Sequence, residues 1–194
     1  MTRRLTLLAL ACAALLGGCT LLSGPKVEPT RFYVLTSAPA RPTMSTLLIG
    51  LGPVRFPGYL DRPQMAMRVD ANRIEYSEWA RWAEPLKDNF ERVLGSDLSA
   101  QLGTDRVVKF PWYRNAAIDY SVTIDVARCE QLSHDEVALV ARWTVRDGES
   151  GSPLASNLAD LRHPAGSPEE AAAALSELIN QLATQIAAAV PAKR

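Results

Sequence analysis

The order of elements predicts an α/β (α+β) two-layer sandwich: a mixed β-sheet with two main helices packed on one face. Three observations carry that reading. Alternation of period two is plain at Tyr120–Ala127 and again at Val137–Val145. Two stretches of helical period stand apart, from about Pro85 and from Ser167. Strands separate them, and a helix with one apolar stripe needs a sheet face to cover it.

The elements follow in order. Arg31-Phe32-Tyr33-Val34-Leu35 is a short aromatic and β-branched strand where ordered structure begins. Leu47 to Phe56 is apolar on both faces, as a central strand is, and Gly50 and Gly52 within it point to a bulge or a close backbone approach. Met65–Val69 and Arg73–Tyr76 flank Asp70-Ala71-Asn72 as a hairpin. Near Pro85 a helix begins whose stripe is Leu86, Phe90, Val93, Leu94 and Leu98, and Gly103 stops it. Arg106–Phe110 is a further strand. Tyr120, Val122, Ile124 and Val126 face inward, against Ser121, Thr123, Asp125 and Ala127 on a wet face. On that parity Cys129 falls on the wetter side and is partly exposed. Val137, Leu139, Ala141, Trp143 and Val145 repeat the pattern after a turn at Ser133-His134-Asp135. Asp147–Gly151 then turns the chain toward a weaker strand near Leu154–Leu161. Ser167-Pro168-Glu169-Glu170 is a capping box ahead of the stripe Leu175, Leu178, Ile179, Leu182 and Ile186.

An address precedes this domain. Arg3 and Arg4 open the chain, and an apolar run follows from Leu5 to Leu16. That run is shorter than the roughly 20 residues a bilayer-crossing helix needs, and it suits the core of a signal peptide. Leu16-Gly17-Gly18-Cys19 resembles the lipobox of bacterial lipoproteins, with Cys19 as the thiol that takes the lipid. Cys12, after Ala9-Leu10-Ala11, competes but leaves too short an apolar run. An uncleaved anchor from Leu5 to Leu22 is the other reading, and two glycines and a threonine interrupt it. The predicted organisation is a signal peptide at 1–18, a lipidated tether at 19–30 and one domain at 31–190. Cys19 then carries covalent N-acyl and S-diacylglycerol groups, palmitate among them. Thr20 stands where an aspartate favours the inner membrane, so the expected location is the outer membrane, lipid-anchored and facing the periplasm. With Cys19 acylated, Cys129 has no partner for a disulfide.

Composition removes several classes of function. Twenty-one basic residues balance 21 acidic ones, which argues against nucleic acid as a partner. Two histidines, His134 and His163, stand alone without ligand spacing, so no metal site is expected. Gly50-Leu51-Gly52 would need a third glycine where Arg55 stands, and Gly148-Glu149-Ser150-Gly151 would close its elbow at Ser152. Asp61, Glu78 and Glu84 have no partner at defined spacing. No catalytic residue and no cofactor site is predicted, and the chain reads as a non-enzyme. What stands out is Tyr59-Leu60-Asp61-Arg62-Pro63 and the segment Trp79 to Leu86. Trp79 and Trp82, three apart in a loop or first helical turn, are either core plugs or interface anchors. Tyr59, Leu60, Trp79 and Trp82 are accordingly the candidate interface.

Four stretches carry a family resemblance by their order and spacing: Arg31–Leu35, Ile49-Gly50-Leu51-Gly52-Pro53-Val54, Tyr59–Gln64 and Trp82-Ala83-Glu84-Pro85-Leu86. Together they resemble the PqiC-type (YmbA) family of ABC-type transport auxiliary lipoproteins, most strongly over Arg31 to Gln101. The resemblance implies an outer-membrane subunit of an intermembrane, MCE-type lipid-transport system that supports envelope integrity, acting as a non-catalytic docking component. It implies partners as well: an inner-membrane-anchored MCE-domain protein, a multi-pass membrane protein, and further copies of the chain, as a homo-oligomer in a ring. From another class comes a periplasmic ligand-binding lipoprotein that itself holds a lipid or other apolar molecule. An envelope hydrolase has only the unpaired carboxylates and Ser150 behind it.

Overall fold

A computed structural model describes residues 29–113, 116–132 and 135–191. The signal peptide, Cys12, Cys19 and nearly all of the tether lie outside the described residues, as do Ser133 and His134. Among the described residues run β1 (Arg31–Tyr33), β2 (Ile49–Arg55), β3 (Gln64–Asp70), β4 (Arg73–Trp82), α1 (Leu86–Leu102), β5 (Val107–Lys109), β6 (Tyr120–Leu132), β7 (Glu136–Asp147), β8 (Pro153–Pro164) and α2 (Pro168–Ala189). The eight strands form one mixed sheet.

β6 is its spine. Antiparallel β7 runs along one side from Tyr120↔Asp147 to Leu132↔Glu136, and β8 follows β7. The other side of β6 is shared. β2 pairs in parallel with the first half, Ile49↔Tyr120 to Arg55↔Asp125, and β3 with the last residues, Met67↔Gln131 and Arg68↔Leu132. Between β2 and β3 the chain makes a 3-10 turn at Gly58–Leu60. β5 adds outside β2, while β4 and then β1 add outside β3.

Both helices pack side by side on one face, α1 against β2 and β5, α2 against β6, β7 and β8. The predicted stripes are the buried ones: Leu86, Phe90, Val93, Leu94 and Leu98 on α1, and Leu175, Leu178, Ile179, Leu182 and Ile186 on α2. Gly103 ends α1 at φ 61°, a left-handed position that suits glycine, and its N–H donates to the Ser99 carbonyl. Ser167 caps α2 by accepting the Glu170 N–H at 3.2 Å. The extended segment after β1 is tied to both helices by its own amides. Leu35 N–H donates to Asn89 Oδ1 (3.1 Å), Thr36 N–H to Ser176 Oγ (3.1 Å) and Ala38 N–H to Asp97 Oδ1 (2.7 Å).

The glycines of β2 mark a close approach. A Cβ on Gly50 would stand 3.0 Å from the Trp112 ring, and one on Gly52 would stand 2.7 Å from Phe110 Cβ. The open face is polar elsewhere, with Arg55 and Asp125 paired at 3.0 Å and both exposed.

Two expectations are corrected. Cys129 is buried, at 1 % exposure, because a bulge at Ala127 (Val126↔Ala141, then Arg128↔Val140) reverses the parity of β6 beyond it. Burial, with Glu130 adjacent, pushes its thiol up, away from thiolate chemistry. Trp79 and Trp82 lie on a strand, not in a loop or helical turn. β4 extends to Trp82, three strand residues apart means opposite faces, and the pair is split accordingly.

Candidate docking surface

Three of the stretches singled out in the sequence meet at one corner. The chain leaves β2, makes the 3-10 turn and passes through Asp61-Arg62-Pro63 into β3, while the end of β4 passes through Ala83-Glu84-Pro85 into α1. Trp82 N–H donates to the Pro63 carbonyl (2.7 Å) and Ala83 N–H to the Tyr33 carbonyl (2.9 Å), which joins β1, the turn and the helix entry. Glu84 pairs with Arg92 at 2.7 Å, and the same guanidinium reaches Asn89 Oδ1 and the Leu35 carbonyl. Arg62 lies over the Tyr76 ring, 4.9 Å from its centroid. Between the two segments is a cleft of about 230 Å³ lined by Asp61, Arg62, Pro63, Trp82, Ala83 and Glu84 among others.

The structure sorts the four interface candidates. Leu60 and Trp82 are core residues, both 5 % exposed, so neither is free to anchor a partner. Tyr59 is half-buried and packs on the core. Trp79 stays exposed at 38 %.

Tyr59 belongs to a buried network that fixes the turn to the spine. Its hydroxyl donates to Glu130 Oε2 at 2.6 Å and lies 3.4 Å from the Ala127 carbonyl at the bulge. Arg68 Nε donates to Glu130 Oε1 at 2.8 Å, and the Cys129 N–H donates to Glu130 Oε2 at 3.2 Å. Tyr76 in turn donates its hydroxyl to the Tyr59 carbonyl at 3.0 Å. Glu130 has a wholly buried side chain, and Arg68 is 18 % exposed. Burial pushes the Tyr59 phenol well above its ordinary range, and the hydrogen bond to Glu130 adds to this, so Tyr59 stays a donor. Burial works against the charge on Arg68, but Glu130 and Tyr59 outweigh it and hold its pKa up. Glu130 and Arg68 escaped the sequence reading. Unbroken alternation sets Glu130 on the side of Val122, Ile124 and Val126, and the bulge moves it to the other face, where Arg68 and Tyr59 meet it.

Elsewhere the polar side chains hold turns. Ser150 Oγ donates to Asp147 Oδ1 at 2.8 Å inside the β7–β8 turn, and His163 Nδ1 lies 2.8 Å from the Pro164 carbonyl. Among the described residues no group of three or more His, Cys, Asp or Glu could hold a metal. No helix among them is long and apolar enough to cross a membrane.

The fold has solved counterparts. An uncharacterized protein matches with a TM-score of 0.69 at 20 % identity, covering 83 % of this chain and 98 % of its own. A Xanthomonas campestris protein of the DUF330 family matches with a TM-score of 0.62 at 21 % identity, covering 81 % and 93 %. At these identities the likeness is one of fold. No curated protein matches the chain. The sequence pattern of the ABC-type transport auxiliary lipoprotein component matches residues 33–187, from β1 to the last turn of α2. With the fold, the corner and that match in place, the chain belongs to the family of ABC-type transport auxiliary lipoproteins.

Proposed function

We propose that the chain is an outer-membrane lipoprotein subunit of an intermembrane, MCE-type lipid-transport system, where it acts as a non-catalytic docking component supporting envelope integrity. In this reading residues 1–18 are removed and Cys19 carries the lipid. The tether ends at 30, and the domain hangs in the periplasm. Its partners are an inner-membrane-anchored MCE-domain protein, a multi-pass membrane protein and further copies of itself.

The observation that supports this best is the corner. Three of the four stretches that carry the sequence resemblance converge there, held by backbone hydrogen bonds and by the Tyr59–Glu130–Arg68 network. Such a corner is rigid before a partner arrives, and preorganisation lowers the cost of association. Asp61, Arg62, Pro63 and Ala83 stay exposed on it.

The test is capture of the MCE-domain protein by the full lipoprotein and by Asp61→Ala/Arg62→Ala, two changes outside the core. Capture should fall at least tenfold with the melting temperature unchanged; equal capture would place the docking site elsewhere. Fatty-acid labelling tests the anchor in parallel. Cys19→Ser should lose the label and Cys12→Ser should keep it.

A further inference from the structure

Beside the docking corner lies a surface that neither the core nor the cleft uses. Phe32 is 66 % exposed, Val34 49 % and Trp79 38 %, all large hydrophobic side chains. The strand register gathers them. Phe32 pairs with Arg81 and Arg31 with Ala80 across β1 and β4, so Trp79 stands diagonally beside Phe32. Tyr33 and Leu35 turn toward the core, and so do Ala80 and Trp82. Exposure alternates along both segments, so that Phe32, Val34 and Trp79 are exposed and Arg81 partly so, although Val34 follows the end of β1 and Trp79 lies where β4 is irregular against β3. Arg81 sits amid these apolar groups, half-buried, and its guanidinium has neither an ion pair nor a hydrogen bond among the described residues. Its Nε is shut off from water altogether.

We propose that this face seats on the phospholipid bilayer that holds the lipid of Cys19. The aromatic rings lie at headgroup level and the Arg81 guanidinium on a lipid phosphate. The inference rests on the lipid-anchor reading and goes beyond it, since an anchor alone sets no orientation.

Three observations select a lipid surface over other occupants. The first is position. Eleven residues, 20–30, lie between Cys19 and Arg31, a reach of at most ~43 Å over the twelve Cα steps when fully extended. As a flexible coil they span only about 20 Å. The patch begins at the first strand after that tether, so it is the part of the fold joined most directly to the anchor. The second is chemistry. Tryptophan and other amphipathic rings gather at membrane–water interfaces, and arginine takes phosphate oxygens through paired N–H donors. The third is the unpaired guanidinium. A cation half-sunk among apolar groups without an acceptor is unfavourable until an anion reaches it, and a phosphate headgroup supplies one while the acyl region covers Phe32, Val34 and Trp79.

The experiment uses the full lipidated protein reconstituted in phosphatidylethanolamine–phosphatidylglycerol vesicles whose acyl chains are brominated, with tryptophan quenching as the readout. Of the other tryptophans, Trp82 and Trp143 are buried at 5 % and 4 %, and Trp112 is part-buried against Gly50. Trp79→Phe therefore removes one reporter and keeps an apolar ring in place. The wild type should be quenched, and the variant should lose at least half of the quenched signal. Arg81→Gln, which keeps Trp79, should lower the quenching about twofold in these vesicles. Equal quenching of wild type and Trp79→Phe would overturn the seating. So would tryptophan emission that ignores lipid and shifts with rising protein concentration, which would give the patch to a second copy of the chain. If Arg81→Gln matched the wild type, the phosphate contact would be wrong. Protein that fails to float with the vesicles at all would overturn the anchor reading itself, an outcome distinct from floated protein with an unquenched Trp79.

Discussion

The buried ion pair of Glu130 and Arg68 lends itself to a quantitative test, because its two partners are desolvated to different extents. Arg68→Met leaves the Glu130 carboxylate wholly buried with only the Tyr59 hydroxyl at 2.6 Å and the Cys129 amide at 3.2 Å. Removing one member of a buried pair costs about 3–5 kcal/mol, since the remaining charge is left in a poor solvent. Glu130→Gln is milder. It preserves an acceptor for Tyr59 and leaves the charge on Arg68, which reaches water at 18 % exposure, so about 1.5–3 kcal/mol is expected. The double variant removes both charges and should recover part of the loss, a coupling of at least ~1.5 kcal/mol. The assay is urea unfolding of the purified lipoprotein in one detergent, followed by far-ultraviolet circular dichroism for wild type, both singles and the double. Additive single costs, or an Arg68→Met variant within ~1 kcal/mol of wild type, would refute the view that this pair fastens the Tyr59 turn to β6.

Two further predictions concern stability. Asp97 is buried, accepts the Ala38 amide through Oδ1, and has no partner for Oδ2. Burial raises its carboxyl above the ordinary 3.8, against the pull of the Ala38 N–H and with a push from Glu177. The native state thus holds that proton more tightly than the unfolded chain, and stability falls as pH rises from 3.8 through the raised value. Asp97→Asn should abolish this part of the pH profile and be the more stable protein above the window; an unchanged profile by thermal melting from pH 3 upward would refute the assignment. The second concerns the tryptophans on opposite faces of β4. Trp82→Ala should cost about 3–5 kcal/mol, as large core truncations do, and Trp79→Ser within about 0.5–1 kcal/mol. Equal losses in the same melting experiment would place Trp79 in the core as well.

The helices were legible because their stripes decide their packing: every apolar position read on α1 and α2 is buried. So was the alternation of β7, where Val137, Leu139, Ala141, Trp143 and Val145 all face inward. The bulge at Ala127 was not legible. One extra residue leaves no mark in composition, yet it turns Cys129 inward and, past it, lets Glu130 reach Arg68 from 62 residues away. The reach of β4 to Trp82 was hidden for a related reason. It depends on pairing with β1 through Arg31↔Ala80, a contact between distant segments that local period cannot report. At the corner the sequence marked stretches that the fold brings together and could not sort their residues between core and surface. A tryptophan's spacing is compatible with core and with surface until the face of its strand is known.

The ties between the segment after β1 and the two helices have a mechanical consequence. A load applied at the N-terminal end of the fold arrives first at β1, whose parallel pairing with β4 spans only Arg31–Tyr33. That ladder is short enough to peel. Leu35, Thr36 and Ala38 come next, and their amides are held by Asn89 and Asp97 of α1 and by Ser176 of α2. Once β1 yields, the pull divides between two helices through three donors within four residues, with the buried Leu35 wedged beside them. The domain therefore has a yielding outer joint and a stiff inner one. Slack is taken up at the end of the chain before the sheet itself is strained.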